Sequence, residues 1–560
     1  MTATQSPAPR ASDGAARAPR PYLVLGIVLT AVFVQLLDVS IVNVAIPSIQ
    51  TDLGASFSAV QLVLSGYQLA FACTLITAAR LGDVHGRKRL FMIGMTVFTL
   101  ASALCGLAPG PTALVLARVL QGFGSGLMFP QVLAVIQVTF EARERGRAFG
   151  VFGATIGLAT VLGPLVGGVL IKANLFGTDW RMIFLVNIPV GLGALVLAAR
   201  ELPESRAPDA PRLDLPGAAL ITAGLFLLVY PLTEGRSRGW PLWLDLMLAA
   251  AVPVLGAFVV LQQRKTRTGR DPLLLMSLFQ NPSFRAGIGL SLAFFLGVAP
   301  FFFALSLYLQ VGLGFDALHA GLTTFPFALG SGFASARSDG IARRLGRDVL
   351  TVGCAVLVAG LIGLIVALHA AGAGLHSWQV APVLVVAGLG FGLFIAPLTT
   401  LVLAGIQGRE AGSASGVLST VQQVGGALGV AVIGVVLFGL VGGGAPASVS
   451  ATSRQLPAQL VAAGLPAAQA EQAADTFRAC FVRRARATDP SRTPPGCQAA
   501  PGPAGPVFAQ AARSATSRTW LRAIQRTLLL EIAVFGASLL LTRTLPRQGA
   551  PTSRPAAAAA

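Results

Sequence analysis

The chain has 560 residues, 54% of them hydrophobic and only 11% charged, with a mean hydropathy of +0.73. Soluble domains carry about 25% charged residues, so this composition excludes an ordinary water-soluble fold and places most of the chain against lipid or other helices within lipid. The net charge of +19 would suit a nucleic-acid binder, but the basic residues recur between apolar blocks without forming a patch, and no nucleic-acid partner is expected.

Residues 1–21 are polar and rich in Pro, Ala and Arg, which predicts a disordered cytoplasmic segment; a second is expected over 546–560. Between them the apolar blocks are about 20 residues long, the length that crosses a bilayer. Fourteen are predicted, beginning near Tyr22, Ala59, Leu90, Pro111, Arg147, Met182, Leu215, Pro241, Ala286, Ala317, Val349, Gln379, Ser413 and Arg526. The first, roughly Tyr22 to Ile49, is too long for a signal-peptide core. An even number of spans puts both termini on one side. With the N-terminus inside, 26 Lys and Arg fall in cytoplasmic segments, against Lys172, Arg181, Arg236 and Arg238 in the short external loops. That asymmetry predicts cytoplasmic termini.

An internal repeat organises the spans. Gly122, Gly124 and Gly126 return 266 residues later as Gly388, Gly390 and Gly392, and Gly146, Ala148, Gly150 and Val151 as Gly412, Ala414, Gly416 and Val417. Two related halves with a site between them are the usual plan of a secondary transporter. The expected division is an N-terminal six-helix bundle over 22–200, a linker over 201–270 with two inserted helices, and a C-terminal six-helix bundle over 271–545. The last includes a long external loop, 442–525, with ten Arg in and beside it against Glu471, Asp475 and Asp489. Partial disorder is expected there outside a helical stretch from Pro466 to Phe481. Cys480 and Cys497 share this oxidising setting, which allows a disulfide.

Span one carries Leu37-Asp38-Val39-Ser40-Ile41-Val42-Asn43-Val44-Ala45-Ile46-Pro47, and span four Arg118-Val119-Leu120-Gln121-Gly122. An acid inside a span costs about 2.5–3.5 kcal/mol on insertion scales and calls for a partner or a role. At about 1.5 Å per residue, Asp38 lies roughly 24 Å along an outward helix and Arg118 roughly 10 Å along an inward one, so both fall in the outer half and can pair. Between spans two and three lies Arg80-Leu81-Gly82-Asp83-Val84-His85-Gly86-Arg87-Lys88-Arg89. Gly82 permits close helix approach, and Asp83 can face a helix N-terminus. Span five holds Gly153, Gly157 and Gly163-Pro164-Leu165-Val166-Gly167-Gly168, a small-residue stripe with a bend. Trp180-Arg181-Met182 through Asn187-Ile188-Pro189 leads into span six.

The loop after span two resembles the major facilitator superfamily pattern, with Ala79 where the family has its leading Gly. The strings in spans one and six are similar to those of its fourteen-helix drug:proton antiporters. The resemblance covers residues 22–440. It implies an all-α membrane protein of the major facilitator fold in a 6+2+6 arrangement, exporting drug-like or amphipathic compounds from the bacterial plasma membrane. The proton gradient would drive it, without ATP or another cofactor, and a monomer suffices. Asp38 and Arg118 are then the proton-coupling residues. Gly82, Asp83, Gly86, Arg87 and Lys88 form a conformational latch, and Gly153, Gly157, Gly163, Pro164, Gly167 and Gly168 the antiporter motif. A shift of 260 places Arg343 opposite Asp83, so an acidic latch is expected only in the first half.

Six residues are substrate-contact candidates. Asn43 and Gln121 lie beside the coupling pair; Phe294 and Phe301 offer either an adaptable apolar surface or a lipid-facing ridge; Gln422 and Gln423 either meet a substrate or bridge helices. Glu531, in the last span, is a further candidate for coupling. His85, His319, His369 and His376 lack ligand spacing, so no metal is expected. No phosphate-binding loop or nucleophile triad appears, which argues against an ATP-driven pump and against an enzyme. The alternatives are proton-linked uptake, a dedicated exporter of a single endogenous metabolite or antibiotic, and a non-transporting sensor or scaffold, which the long external loop favours.

Overall fold

A computed structural model describes residues 20–546 except 56, 175–176, 207–213, 236–237, 269, 271, 373, 404–405, 407–409, 487–496 and 498–503; several side chains within helices, those of Asn43 and Pro164 among them, also fall outside it. The terminal segments expected to be disordered lie outside the described residues. The first half comprises α1 (Pro21–Leu53), α2 (Phe57–His85), α3 (Arg87–Gly106), α4 (Pro111–Thr139), α5 (Ala142–Ala173), the single turn α6 (Met182–Leu185) and α7 (Asn187–Glu201). Then come α8 (Leu215–Glu234) and α9 (Leu242–Arg267). The second half holds α10 (Pro282–Leu307), α11 (Ala317–Leu345), α12 (Asp348–Ala371), α13 (Ser377–Val402), α14 (Ala411–Thr452), α15 (Leu456–Ala462), α16 (Ala467–Arg486) and α17 (Gly505–Leu541).

Helix ends follow local chemistry. Pro21 opens α1 with its φ already set, and Gly54 closes it in the left-handed region at φ 58°. Among the described residues, twelve helices are long and apolar enough to cross a membrane. α5 and α11, with 32 and 29 residues, are not among those twelve.

The repeated glycines show why the halves are related. A methyl group on Gly122 would sit 2.2 Å from the Tyr67 carbonyl oxygen, and one on Gly388 2.0 Å from that of Phe327. Gly124 and Gly390 meet the backbone nitrogens of Phe98 and Leu357 in the same way. In each half, one glycine-faced helix (α4 or α13) is wedged between two others at backbone contact.

The halves meet along two seams. Along α5 and α11 contact runs from Gly146, against the Asp339 carboxylate, to Gly168, where an added methyl group would sit 3.4 Å from Leu318 Cβ. α2 and α14 meet at Asp83 with Gly412 and at Ala79 with Gly416; further along, Gly425 and Gly429 of α14 face Leu292 and Leu296 of α10. The Gln137 amide donates to the Leu403 carbonyl at 2.9 Å, and the Ser415 hydroxyl to that of Pro130 at 3.3 Å, both across the halves. α8 rides on the first half: Ser65 of α2 donates to the buried Glu234 of α8 at 2.7 Å, and Thr222 of α8 to the Cys73 carbonyl at 3.4 Å.

The segment expected to be an external loop departs from expectation. α14 continues to Thr452, α17 begins at Gly505 instead of near Arg526, and α15 and α16 lie between them. Leu456, Leu460, Ala470, Ala474, Ala504 and Ala511 form a separate small core with Phe477 and Phe508 packed on it. Alanine's high helix propensity and an apolar stripe at helical spacing explain the order. Cys480 and Cys497 are disulfide-bonded, with Cα atoms 5.4 Å apart.

Candidate functional site

A polar cluster lies buried in the first half. α1 brings Asp38, α3 Ser102, α4 Arg118 and Gln121, and α7 Asn187 to one point, all of them buried. The Asp38 carboxylate accepts from Arg118 Nη1 at 2.5 Å, Gln121 Nε2 at 2.9 Å and Asn187 Nδ2 at 3.0 Å. Arg118 Nη1 also donates to Gln121 Oε1 at 2.8 Å, and its Nε to the Val63 carbonyl at 3.2 Å. The guanidinium lies 4.2 Å from the centre of the Tyr67 ring. Gln121 and Asn187 both donate to Ser102 Oγ, which donates onward to the Phe184 carbonyl at 2.9 Å. A buried ion pair repays its desolvation only when its remaining donors and acceptors are filled, and here both Asp38 oxygens and the Arg118 Nε and Nη1 are bonded.

The arrangement has a switching chemistry. A proton on Asp38 would remove the charge that holds Arg118 and leave a buried guanidinium seeking another acceptor. Gln121 contacts both partners and would pass on any change in the pair. The sequence pattern brought Asp38, Arg118 and Gln121 into view, but assigned Gln121 to substrate. In the structure its amide is taken up by Asp38, Arg118 and Ser102. Tyr67 and Ser102 were missed, and Asn187 was noted without a role. A buried Asn in an apolar run costs several kcal/mol unless bonded, which is the signal that could have found it.

Two other substrate candidates, Phe294 and Phe301, are packed side chains. Phe294 has 0% exposure: its ring centroid lies 3.9 Å from that of Phe394, 5.3 Å from that of Phe535 and 5.9 Å from that of Phe391. Phe301, also buried, packs on Phe302 and Phe327. Both are core of the second half, neither lipid ridge nor open surface. Gln422 and Gln423 are half-buried on α14, and the Asn43 side chain lies outside the described residues.

The residues expected to form the latch lie at one connected end. Arg87 donates to Asp83 at 2.8 Å, both buried, and Asp83 stands against Gly412 in the first turn of α14. Gly82 is where Gln131 of α4 packs. Gly86 has φ +110°, which a side chain rarely adopts, and the Glu204 carboxylate fills the space beside it. Glu204, unnoticed in the sequence, accepts from the backbone nitrogens of Lys88 and Arg89 at 3.1 and 3.3 Å and so caps α3. Lys88 Nζ donates to the Ala199 carbonyl at 2.8 Å.

The second half has an acidic counterpart, contrary to expectation. Asp339 is paired with Arg343 and stands against Gly146, the repeat mate of Gly412. The shift of 260 missed it because α5 rests on α11 one helical turn earlier than α14 does on α2. In the antiporter motif, a methyl group on Gly163 would overlap Ser40 of α1, two residues from Asp38, while Gly153 and Gly157 face Ser335 and Ser331 of α11. Gly167 is buried on the same helix, and the Pro164 side chain lies outside the described residues. At the C-terminal end of α1, Asp52 accepts from Trp180 Nε1 at 3.0 Å and from Arg181 at 2.5 Å. The Arg181 and Trp180 donors hold the Asp52 carboxyl below its usual range.

Two repeat-related helical bundles, the first enclosing such an ion pair, are the construction of a multi-pass transporter. Residues 28–430 match the Major Facilitator Superfamily, and the chain belongs to that family. It is 41% identical over 543 residues to a probable actinorhodin transporter of Streptomyces coelicolor, covering 95% of this chain and 94% of the other. It is 34% identical to the tetracenomycin C resistance and export protein of Streptomyces glaucescens, over 76% of this chain and 77% of that one. Identity with the multidrug resistance protein Stp of Mycobacterium tuberculosis is 33%, over 72% and 74%. In fold it is similar to the human organic anion transporter MFSD10, with a TM-score of 0.51, 16% identity, and coverage of 92% and 100%.

Proposed function

We propose that this chain exports drug-like or amphipathic organic compounds across the bacterial plasma membrane in exchange for protons, acting as a monomer. The observation that carries the proton part is the Asp38–Arg118 pair: a buried carboxylate whose partner is another ionisable group. The export part is supported by relatives named for antibiotic export and resistance. The path is proposed to pass between the halves, with Gln422 and Gln423 contributing polar contacts.

The fourteen-span, 6+2+6 arrangement with cytoplasmic termini belongs to this proposal. α5 and α11 would be about 48 and 44 Å long, enough to cross a core of about 30 Å. They line the seam between the halves, where small and polar residues replace apolar ones. The basic end bearing Asp83 and Asp339 is then cytoplasmic. Energised everted vesicles test the reading: substrate accumulation that collapses on adding an uncoupler is expected, and accumulation indifferent to the proton gradient would refute it.

A second reading, export of one dedicated antibiotic, is favoured by one observation. The actinorhodin relative aligns over 543 residues, whereas the multidrug protein aligns over 408. A susceptibility panel in a pump-deleted host separates the two by the number of compounds affected.

A further inference from the structure

Glu531 is a carboxylic acid set deep in α17 and fully buried, and neither of its oxygens has a hydrogen-bond partner among the described residues. Its surroundings can be placed by register. Phe535, one turn away, packs on Phe294 and fills the space beside Gly297 of α10; Trp520 lies beside Gly312. α10 and α17 are thus antiparallel, and Glu531 faces α10 near Phe301. The Cys354 thiol of α12 donates to the Phe535 carbonyl at 3.1 Å, so α12 flanks the same level, and α14 approaches through Phe438 against Trp520.

No counter-charge is near on any of these elements. α14 has no charged residue between its first and last turns. On α10 the one charge is Arg285, twelve residues from Gly297 and so about 18 Å away along the axis. On α12, Asp348 and His369 lie at the two ends, and the titratable groups closest in register are the Cys354 thiol and the buried Tyr308 hydroxyl beyond α10. On α17 itself, Arg522 and Arg526 point to the exposed side. The contrast with Asp38, which has three donors, is complete. An unpaired carboxylate in such a place costs several kcal/mol, and proton uptake removes that cost.

We propose that Glu531 is a second proton-binding site, located in the C-terminal bundle and loaded and unloaded separately from the Asp38–Arg118 pair. Unloading requires water or an acceptor to reach Glu531, and therefore a rearrangement of α17 against α10 and α14. The site would tie proton release to the packing of the second half.

This inference rests on the proton-coupled reading, and two measurements keep their failures apart. The first is infrared difference spectroscopy on the purified wild-type protein during a pH titration, which needs no transport. A protonated carboxylic acid C=O band is expected, shifted by deuteration and missing in Glu531→Gln. Absence of any such band at every pH overturns the proposal. The second is the substrate ratio attained in vesicles at an imposed 60 mV. Each coupled proton multiplies that ratio by about ten, so Glu531→Gln is expected to lower it about tenfold while still exporting. A coupled wild type with an unchanged ratio in Glu531→Gln overturns the second site alone. A wild type indifferent to the gradient refutes proton coupling itself, and the infrared band then decides whether Glu531 binds a proton.

Discussion

Asp38 is held by three donors, and its variants should separate charge from shape. Removing one member of a buried ion pair strands the other and costs about 3–5 kcal/mol. Arg118→Leu is therefore expected to lower the detergent-solubilised melting temperature strongly. Asp38→Asn with Arg118→Leu, which removes both charges, should be less destabilised than the two single changes summed. Additive losses in a thermal-shift series would show that the pair is not coupled. Arg118→Lys keeps the charge but loses the planar fork that reaches Asp38, Gln121 and the Val63 carbonyl together. Export is expected to fall at least about tenfold with insertion intact, and normal vesicle transport by this variant would remove Arg118 from the mechanism.

At the scale of elements, each of the two seams sets a carboxylate against the first turns of a helix from the other half. Asp83 stands at the start of α14 and Asp339 near the start of α5, where a carboxylate meets the positive end of a helix. Such a contact contributes about 0.3–1 kcal/mol, so Asp83→Asn or Asp339→Asn should favour opening of that end by roughly two- to five-fold. The rate of thiol labelling at a cysteine placed between the halves measures this; unchanged labelling in Asp339→Asn would leave the second acid without a latch role. Gly163 lies where α5 meets Ser40 of α1. Gly163→Val is expected to force those helices apart beside the ion pair and to reduce export more than expression, as blotting and vesicle flux would show. In the small module around α15 and α16 the Cys480–Cys497 bond, with a sequence separation of 17, is worth about 3 kcal/mol for a closure of this size. Cys480→Ser should make the module sensitive to added protease while export persists; equal protease resistance in the two forms would argue that the small apolar core is sufficient alone.

For the molecule as a whole, the join between α8 and α9, where the chain passes from one half to the other, is electrostatic. Asp214 caps α8 through the Gly217 amide and accepts from Lys265 at 2.7 Å and Gln262 at 2.9 Å near the end of α9. Burial pushes this carboxyl up, but the Lys265, Gln262 and Gly217 donors outweigh it and hold it below the ordinary value. A lowered folded-state pKa means the contribution is full above the unfolded value of about 3.9 and is lost as pH falls through the lower folded value. The melting temperature of the wild type is expected to fall more steeply than that of Asp214→Asn as pH drops below about 4. Parallel curves would show that Asp214 contributes nothing pH-dependent to this join.

The sequence by itself determined the membrane class, the order of the helices and the two-half plan, because apolar length and repeated glycines are local features that lipid and backbone contact read directly. It also determined that Asp38 and Arg118 share a depth, since depth is residue count times rise. What it did not determine is which way each helix faces. In a membrane, lipid and protein core are equally apolar, so hydrophobicity does not distinguish an inward face from an outward one. That is why Phe294 read as surface and proved to be core, why Asn187 and Ser102 joined Asp38 unannounced, and why Asp339 met Gly146 one turn from its expected register. Only the tertiary structure decided those contacts, because each depends on the rotation of one helix against another, for which a chain of nearly uniform hydropathy carries no signal.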